Sequence, residues 1–333
     1  MRSDSRPALF FRTAVAAVVF ALASAIFGAY VRLSDAALGC PDGPACSARP
    51  AAPLAVRASF SVSASERAWK ETITRYIAGT LGLLLMRLAV LGWQLRRRSG
   101  QQVIIPVATL ILVLGLTVVG IVTIDMQHKP LVMMIQFLGA ILVAALLWWV
   151  VLREQRLFRS VHPTPMVRRL RWRALVALVA ALFATALGGW SMTNHAALAC
   201  PDFPTCQGEY LPPADYAEGM LRWTREGFAY DRASLDLGAA TAIHVAHRAA
   251  ALIALLYVGW FALHLLRVGV QQNVCRYGLL LLVMLSFTLA FGVMEAVSGL
   301  PLTTAVAHSA VAVLLLLTLV TIYHVLRPPR NAK

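Results

Sequence analysis

An all-α integral membrane protein, with eight transmembrane helices built as two pseudo-symmetric four-helix bundles, is the fold class that three features of this 333-residue sequence predict. The first is composition. Hydrophobic residues make up 59% of the chain and charged residues 14%, well below the charge of a soluble domain of this length. The second is run length, since the apolar blocks reach the roughly 20 residues that a helix needs to cross ~30 Å of hydrocarbon. The third is a repeat. GAYVRLSDAALGCPDGPAC (Gly28–Cys46) aligns with GGWSMTNHAALACPDFPTC (Gly188–Cys206), with nine identities at a constant offset of 160.

The apolar blocks place spans at 9–32, 71–95, 103–123, 130–152, 171–192, 238–266, 275–297 and 301–326. The first follows Arg2, Arg6 and Arg12 and has the look of a secretory signal. It is kept as a span because the run is long and no small-residue cleavage site precedes Arg32. Each copy of the repeat closes the first helix of a half and opens a loop. The chain therefore divides into an N-terminal bundle over 1–152, a basic linker over 153–173 that contains Pro163 and Pro165, and a C-terminal bundle over 174–333. Four spans per copy preserve orientation, so parallel repeats about an axis along the membrane normal are expected.

The net charge of +15 suggests nucleic acid until its location is read. Arginines collect after span two (Arg96 to Arg98), after span four (Arg153, Arg156, Arg159, Arg168, Arg169, Arg171, Arg173) and at the C-terminus. By the positive-inside rule these segments and both termini are cytoplasmic, and the partners of the charge are lipid headgroups. Nucleic acid is excluded on this reading.

The loops 33–70 and 193–237 then face outward. They hold the pairs Cys40/Cys46 and Cys200/Cys206, while Cys275 lies at the inner edge of span seven as a free thiol. Cysteine pairs on the oxidising side suggest two short-loop disulfides. Metal binding is the alternative, and it lacks a nearby set of four ligands. Within the second loop, 214–226 reads as a short helix lying on the membrane surface or as a packing lid.

Polar groups inside a membrane are costly and point to function. His128, His162 and His195 fall in loops, and His264 and His324 at the cytoplasmic edge. That leaves His244 and His247 on span six and His308 on span eight, with His247 and His308 each about 10 Å in from the outer face. Two neutral imidazoles at one depth suit the axial positions of a haem iron, and the flanking alanines and Ser309 leave room for a flat macrocycle. Arg248 is placed to pair with a propionate. The competing reading is a pair of histidines bonded to neighbouring helices. A cytochrome with two stacked haems would pair His247 with His264 and His308 with His324, but those pairs point about 100° and 160° apart on their helices. One cleft cannot hold both.

The chain resembles heme A synthase over nearly its full length. The residues that carry the resemblance are the two repeat segments, KETITRYIAGTLG (Lys70–Gly82), AIHVAHRAAA (Ala242–Ala251) and SGLPLTTAVAHSAVAVLLLL (Ser298–Leu317). The resemblance implies oxidation of a haem O methyl group to the formyl group of haem A for terminal oxidases. It implies a permanent haem b in the C-terminal bundle on His247 and His308, and haem O in the N-terminal one. Glu71 falls on the family's functionally important glutamate. Dioxygen, haem O synthase and cytochrome oxidase assembly factors are the implied partners, and assembly into a homo-oligomer is open.

The sequence departs from that pattern where the family has Glu-x-x-His-Arg on span two. Here Glu71-Thr72-Ile73-Thr74-Arg75 stands, and six residues after Lys129-Pro130 the expected histidine is Gln136. Three explanations compete for a substrate pocket of Thr74, Arg75 and Gln136. The haem is held by shape and propionate pairing; or Met133, Met134 or His128 substitutes; or catalysis is lost, leaving a haem-binding assembly factor, chaperone or electron-carrying cytochrome. Glu71 reads as a proton carrier or as the ion-pair partner of Arg75. Glu295, near the outer end of span seven, reads as a partner for a ligand histidine or as an interhelical bond.

Overall fold

The computed structural model describes residues 6–38, 64–99, 103–122, 129–154, 164–230, 235–268 and 274–327. Among them there are helices and turns and no strands. The long helices are α1 (Arg6–Leu38), α2 (Ala64–Ser99), α3 (Ile104–Val122), α4 (Pro130–Glu154) and α5 (Pro165–Thr193). A short helix α6 (Tyr216–Glu226) precedes α7 (Leu237–Val268), α8 (Cys275–Val297) and α9 (Leu302–Val325). All except α6 are long and apolar enough to cross a membrane, which gives eight spans. The chain is an integral membrane protein.

The span centres fall where the apolar blocks put them, and the differences lie at the ends. α1 and α2 run several residues past their expected outer limits. α5 starts inside the expected linker: Pro165 occupies its first turn, and the Thr164 hydroxyl caps it by accepting from the Val167 N–H at 3.2 Å. Proline has no N–H to lose at this position, so the arginines 168 to 173 form helix rather than loop. The short helix expected within 214–226 is α6, capped by Asp215, whose carboxylate accepts from the Glu218 N–H at 2.9 Å.

α1 packs on α2 and α4, and α3 closes the ring between α2 and α4. α5 packs on α7 and α9, and α8 closes the second ring between α7 and α9. The rings meet where α1 and α4 pack on α9 and where α4 packs on α5. One buried cluster runs through the second ring and reaches Phe137 and Ile141 of α4; another joins α1, α2 and α4. The Trp148 Nε1–H donates to the Thr321 hydroxyl at 2.8 Å across this seam. Large aliphatic side chains such as Ile111, Leu114, Val118 and Ile121 remain on the outside of α3. That is the expected surface toward lipid, where helices satisfy their own backbone and no water needs to be met.

Since lipid tails are as apolar as leucine, close approach rather than hydrophobicity holds such helices together. Glycines permit it at two contacts. A Cβ on Gly189 would lie 2.5 Å from the Phe137 ring, and one on Gly278 would lie 2.8 Å from the Ala262 carbonyl oxygen. The first obstacle is a side chain that can turn; the second is backbone. Gly278→Ala is therefore expected to cost about 1–3 kcal/mol through overpacking at α7–α8. Gly79→Ala, whose added Cβ meets nothing within 4 Å, should be neutral or gain up to about 1 kcal/mol in helix propensity. Thermal unfolding in detergent checks the pair, and equal midpoints for the two variants would refute the contrast.

Candidate functional site

In the second ring, His247 of α7 reaches across to α5 and His308 of α9 reaches across to α8. The Nδ1 of His247 lies 3.2 Å from the Ala184 carbonyl, and that of His308 lies 3.0 Å from the Thr288 carbonyl. A carbonyl only accepts, so each Nδ1 carries the proton and each Nε2 presents a lone pair. Both bonds use the same local device. Four residues after each carbonyl stands a glycine, Gly188 and Gly292, and a Cβ there would come within 2.9 Å and 3.0 Å of the respective ring. In a helix the side chain at i+4 shields the carbonyl of residue i, so glycine at that place opens the carbonyl to an outside donor. Two fixed imidazoles with free Nε2 atoms match the axial requirement of a haem iron, and the glycine cradles fix ring orientation.

His244, one turn before His247, has a different place. It is buried, and its Nδ1 meets the Ala196 carbonyl at 3.2 Å, which ties α7 to the 3-10 turn Ala196–Ala199. His264 lies against Arg173 and stacks on Trp260, and His324 sits edge-on to Trp149, so neither turns toward the outer pair. Glu295 contributes no bond to either ligand candidate, since both Nδ1 atoms are taken by carbonyls.

The loop between α5 and α7 is bonded to the helix that carries His247. Cys200 and Cys206 are joined in a disulfide. Among the described residues no group of three histidines, cysteines or carboxylates is placed to hold a metal, and Cys275 is a free thiol. Arg248 donates to the Thr205, Asp202 and Cys200 carbonyls at 2.7, 2.8 and 3.2 Å. Its terminal nitrogens, expected on a propionate, thus bind the loop. The Gln207 side chain adds bonds to Ala199 and to Thr241 of α7, each at 2.9 Å. Cys40 and Cys46, together with His128, lie outside the described residues.

The first ring carries the same registers with other residues. Glu71, Thr74 and Arg75 stand 173 positions before His244, His247 and Arg248, and Gly120 and Gln136 stand 172 before Gly292 and His308. The Gln136 amide lies against Gly120, where a Cβ would be 3.5 Å from its Nε2, just as His308 lies against Gly292. Thr74 turns its hydroxyl to the Lys70 carbonyl of its own helix at 2.9 Å. Arg75 pairs with Glu71 at 3.2 Å, and both side chains are exposed. Met133 is buried and Met134 faces Gly189 of α5.

Two cations of this half escaped the sequence reading. Lys70 is buried, donates to the Ser34 hydroxyl at 2.9 Å and lies over the Tyr30 ring. Arg32 lies over Phe137 at the seam between the rings. Charged residues at the ends of apolar runs were the available signal, and it does not distinguish an inward side chain from one reaching water.

Comparison with known proteins covers both rings. The family described as COX15-CtaA, cytochrome oxidase assembly protein, matches residues 11–320. A heme A synthase of Shewanella oneidensis is 34% identical over 317 residues, which is 93% of this chain and 94% of that protein. A heme A synthase of Lysinibacillus sphaericus is 23% identical over 311 residues, 91% of this chain and 90% of that protein.

The loop between α5 and α7 depends on Asp202. Its carboxylate accepts from the Thr205 hydroxyl and from the Gln207 and Gly208 N–H groups, and these bonds, the Thr205 hydroxyl foremost, hold its pKa below the usual value. A depressed carboxylate stabilises the fold above the ordinary pKa of about 3.9, and that stability is lost as pH falls through the folded value. The Cys200–Cys206 bond should therefore yield faster to a phosphine reductant as pH drops below about 4. Asp202→Asn should show the fast rate already at neutral pH. Identical pH profiles for the two proteins would refute the role.

Proposed function

The chain belongs to the COX15-CtaA family of cytochrome oxidase assembly proteins, and from that premise we propose that it oxidises the methyl group of haem O to the formyl group of haem A. A role in haem A biosynthesis for cytochrome oxidase, and an enzyme acting there, follow from the relatives. The specific reaction rests on the residues. The observation that carries it is the matched pair of cradled imidazoles, His247 and His308, with their Nε2 lone pairs unspent on protein. In this reading they hold a resident haem b in the C-terminal bundle, 174–333. The N-terminal bundle, 1–152, takes haem O against Gln136, Thr74 and Arg75, and 153–173 is the cytoplasmic joint of a pseudo-symmetric pair.

Methyl to formyl is a four-electron oxidation, with dioxygen as the terminal acceptor in this reading. The resident haem supplies a one-electron relay when bound. The protein's part is to place the macrocycle, exclude water and move protons. Glu71 stands on the first turns of α2, exposed beside Arg75, and is assigned as the proton carrier. The 3.2 Å pair with Arg75 orients it. Binding without an imidazole bond relies on the buried apolar area of the macrocycle. The setting is a bacterial inner membrane with both termini cytoplasmic, close to haem O synthase and the oxidase assembly factors.

One observation favours a second reading, a haem-binding assembly factor without catalysis: the Thr74 hydroxyl is spent on its own helix, and a Gln136 amide is a weak iron ligand. Expression in cells that supply haem O and lack their own synthase decides between them. Wild type should make haem A, and Glu71→Ala should lose at least tenfold, the lower end of general acid–base effects being about 100-fold. If wild type makes none while Thr74→His with Gln136→His binds a second low-spin haem, the assembly factor stands.

The resident site has its own test. His247→Ala or His308→Ala should abolish the six-coordinate low-spin bands of the purified protein. Unchanged spectra in both variants would sink the assignment.

A further inference from the structure

Arg32 stands in a cleft between the two rings, and among the described residues its charge is unpaired. The cleft is lined by Ala25 and Ala29 of α1, Phe137 and Ala140 of α4, and Ser309 of α9, the residue after His308. The Arg32 Nε is buried and has no hydrogen-bond partner. Its Cζ lies 5.7 Å from the centroid of the Phe137 ring, and its terminal nitrogens lie against Gly28, 3.3 and 3.4 Å from where a Cβ would stand. Among the described residues no carboxylate pairs with it. A guanidinium held at this depth without an anion is costly, and the described residues supply none.

The repeat shows which half the cation serves. Gly28 occupies the position of Gly188, which receives the His247 ring in the second bundle. Arg32 occupies the position of Met192, 160 residues on, an apolar side chain packed against Ala29, Leu33 and Ala305. Methionine thus satisfies the packing at this register, so the charge in the other half has a use besides folding. It stands only in the bundle whose two strong iron ligands are replaced. We infer that Arg32 binds a carboxylate of the substrate macrocycle, a haem propionate, and supplies anchoring that Thr74 and Gln136 do not. This rests on the reading of the N-terminal bundle as a haem site. Charge-assisted bonds from a planar fork to a carboxylate are the strongest such pairs available to a side chain.

The test titrates ferric protoporphyrin IX, and separately its dimethyl ester, into the detergent-purified protein carrying its resident haem. The readout is uptake of a second equivalent by absorbance. Wild type should bind the free acid about tenfold or more tighter than the ester. Arg32→Met should lose that preference by weakening acid binding alone, and Arg32→Lys should keep part of it. The bands of the resident haem should stay unchanged in every variant, which also reports an intact fold. Wild-type affinity for the free acid in Arg32→Met overturns the inference and leaves the two-site reading standing. A change confined to the resident haem's bands overturns it by placing the carboxylate in the other half. No second equivalent in wild type overturns both readings.

Discussion

Everything at the centre of the second bundle depends on a carbonyl that a glycine leaves open. A helical carbonyl already accepts from the N–H four residues on, and it retains a second lone pair. At Ala184 and Thr288 that lone pair is reachable because Gly188 and Gly292 carry no side chain. The imidazoles of His247 and His308 take it with Nδ1, which settles tautomer and ring orientation in one bond each. In a membrane interior that bond also removes a polar group from hydrocarbon. The free Nε2 atoms follow from it, and so does the capacity to hold a metal-centred macrocycle.

In the first bundle the positions at matching sequence registers carry different chemistry. Gly28 and Gly120 preserve the two openings. Instead of imidazoles they receive the Arg32 guanidinium and the Gln136 amide, while Thr74 bonds its own helix. In place of two imidazoles the first bundle presents donors suited to carboxylate and amide contacts. A resident group needs strong ligands. A substrate must leave, and weaker contacts spread over a large apolar face serve that better.

The outer loop couples the two functions of the α7 register. Arg248 follows His247 directly, so the residue that fixes the disulfide loop and the residue that presents Nε2 share one turn of helix. Asp202 completes the loop from within, and His244 pins the 3-10 turn that leads into it.

Run length was enough to determine eight spans and their order, because helix periodicity and hydrocarbon thickness leave few alternatives. His247 and His308 were legible for that reason: both lie at one depth on apolar helices. Their partners were not, since a carbonyl that accepts an extra bond has no sequence signature and Gly188 and Gly292 read equally well as packing residues. Arg248 looked free for a propionate, and only the folded loop shows its nitrogens bound to three carbonyls. Arg32 and Lys70 appeared as ordinary ends of apolar runs. Whether such a side chain reaches water or turns a full helical turn inward depends on the neighbouring helix, here Phe137 of α4 and the absent Cβ of Gly28, and that is settled by packing between segments far apart in the chain.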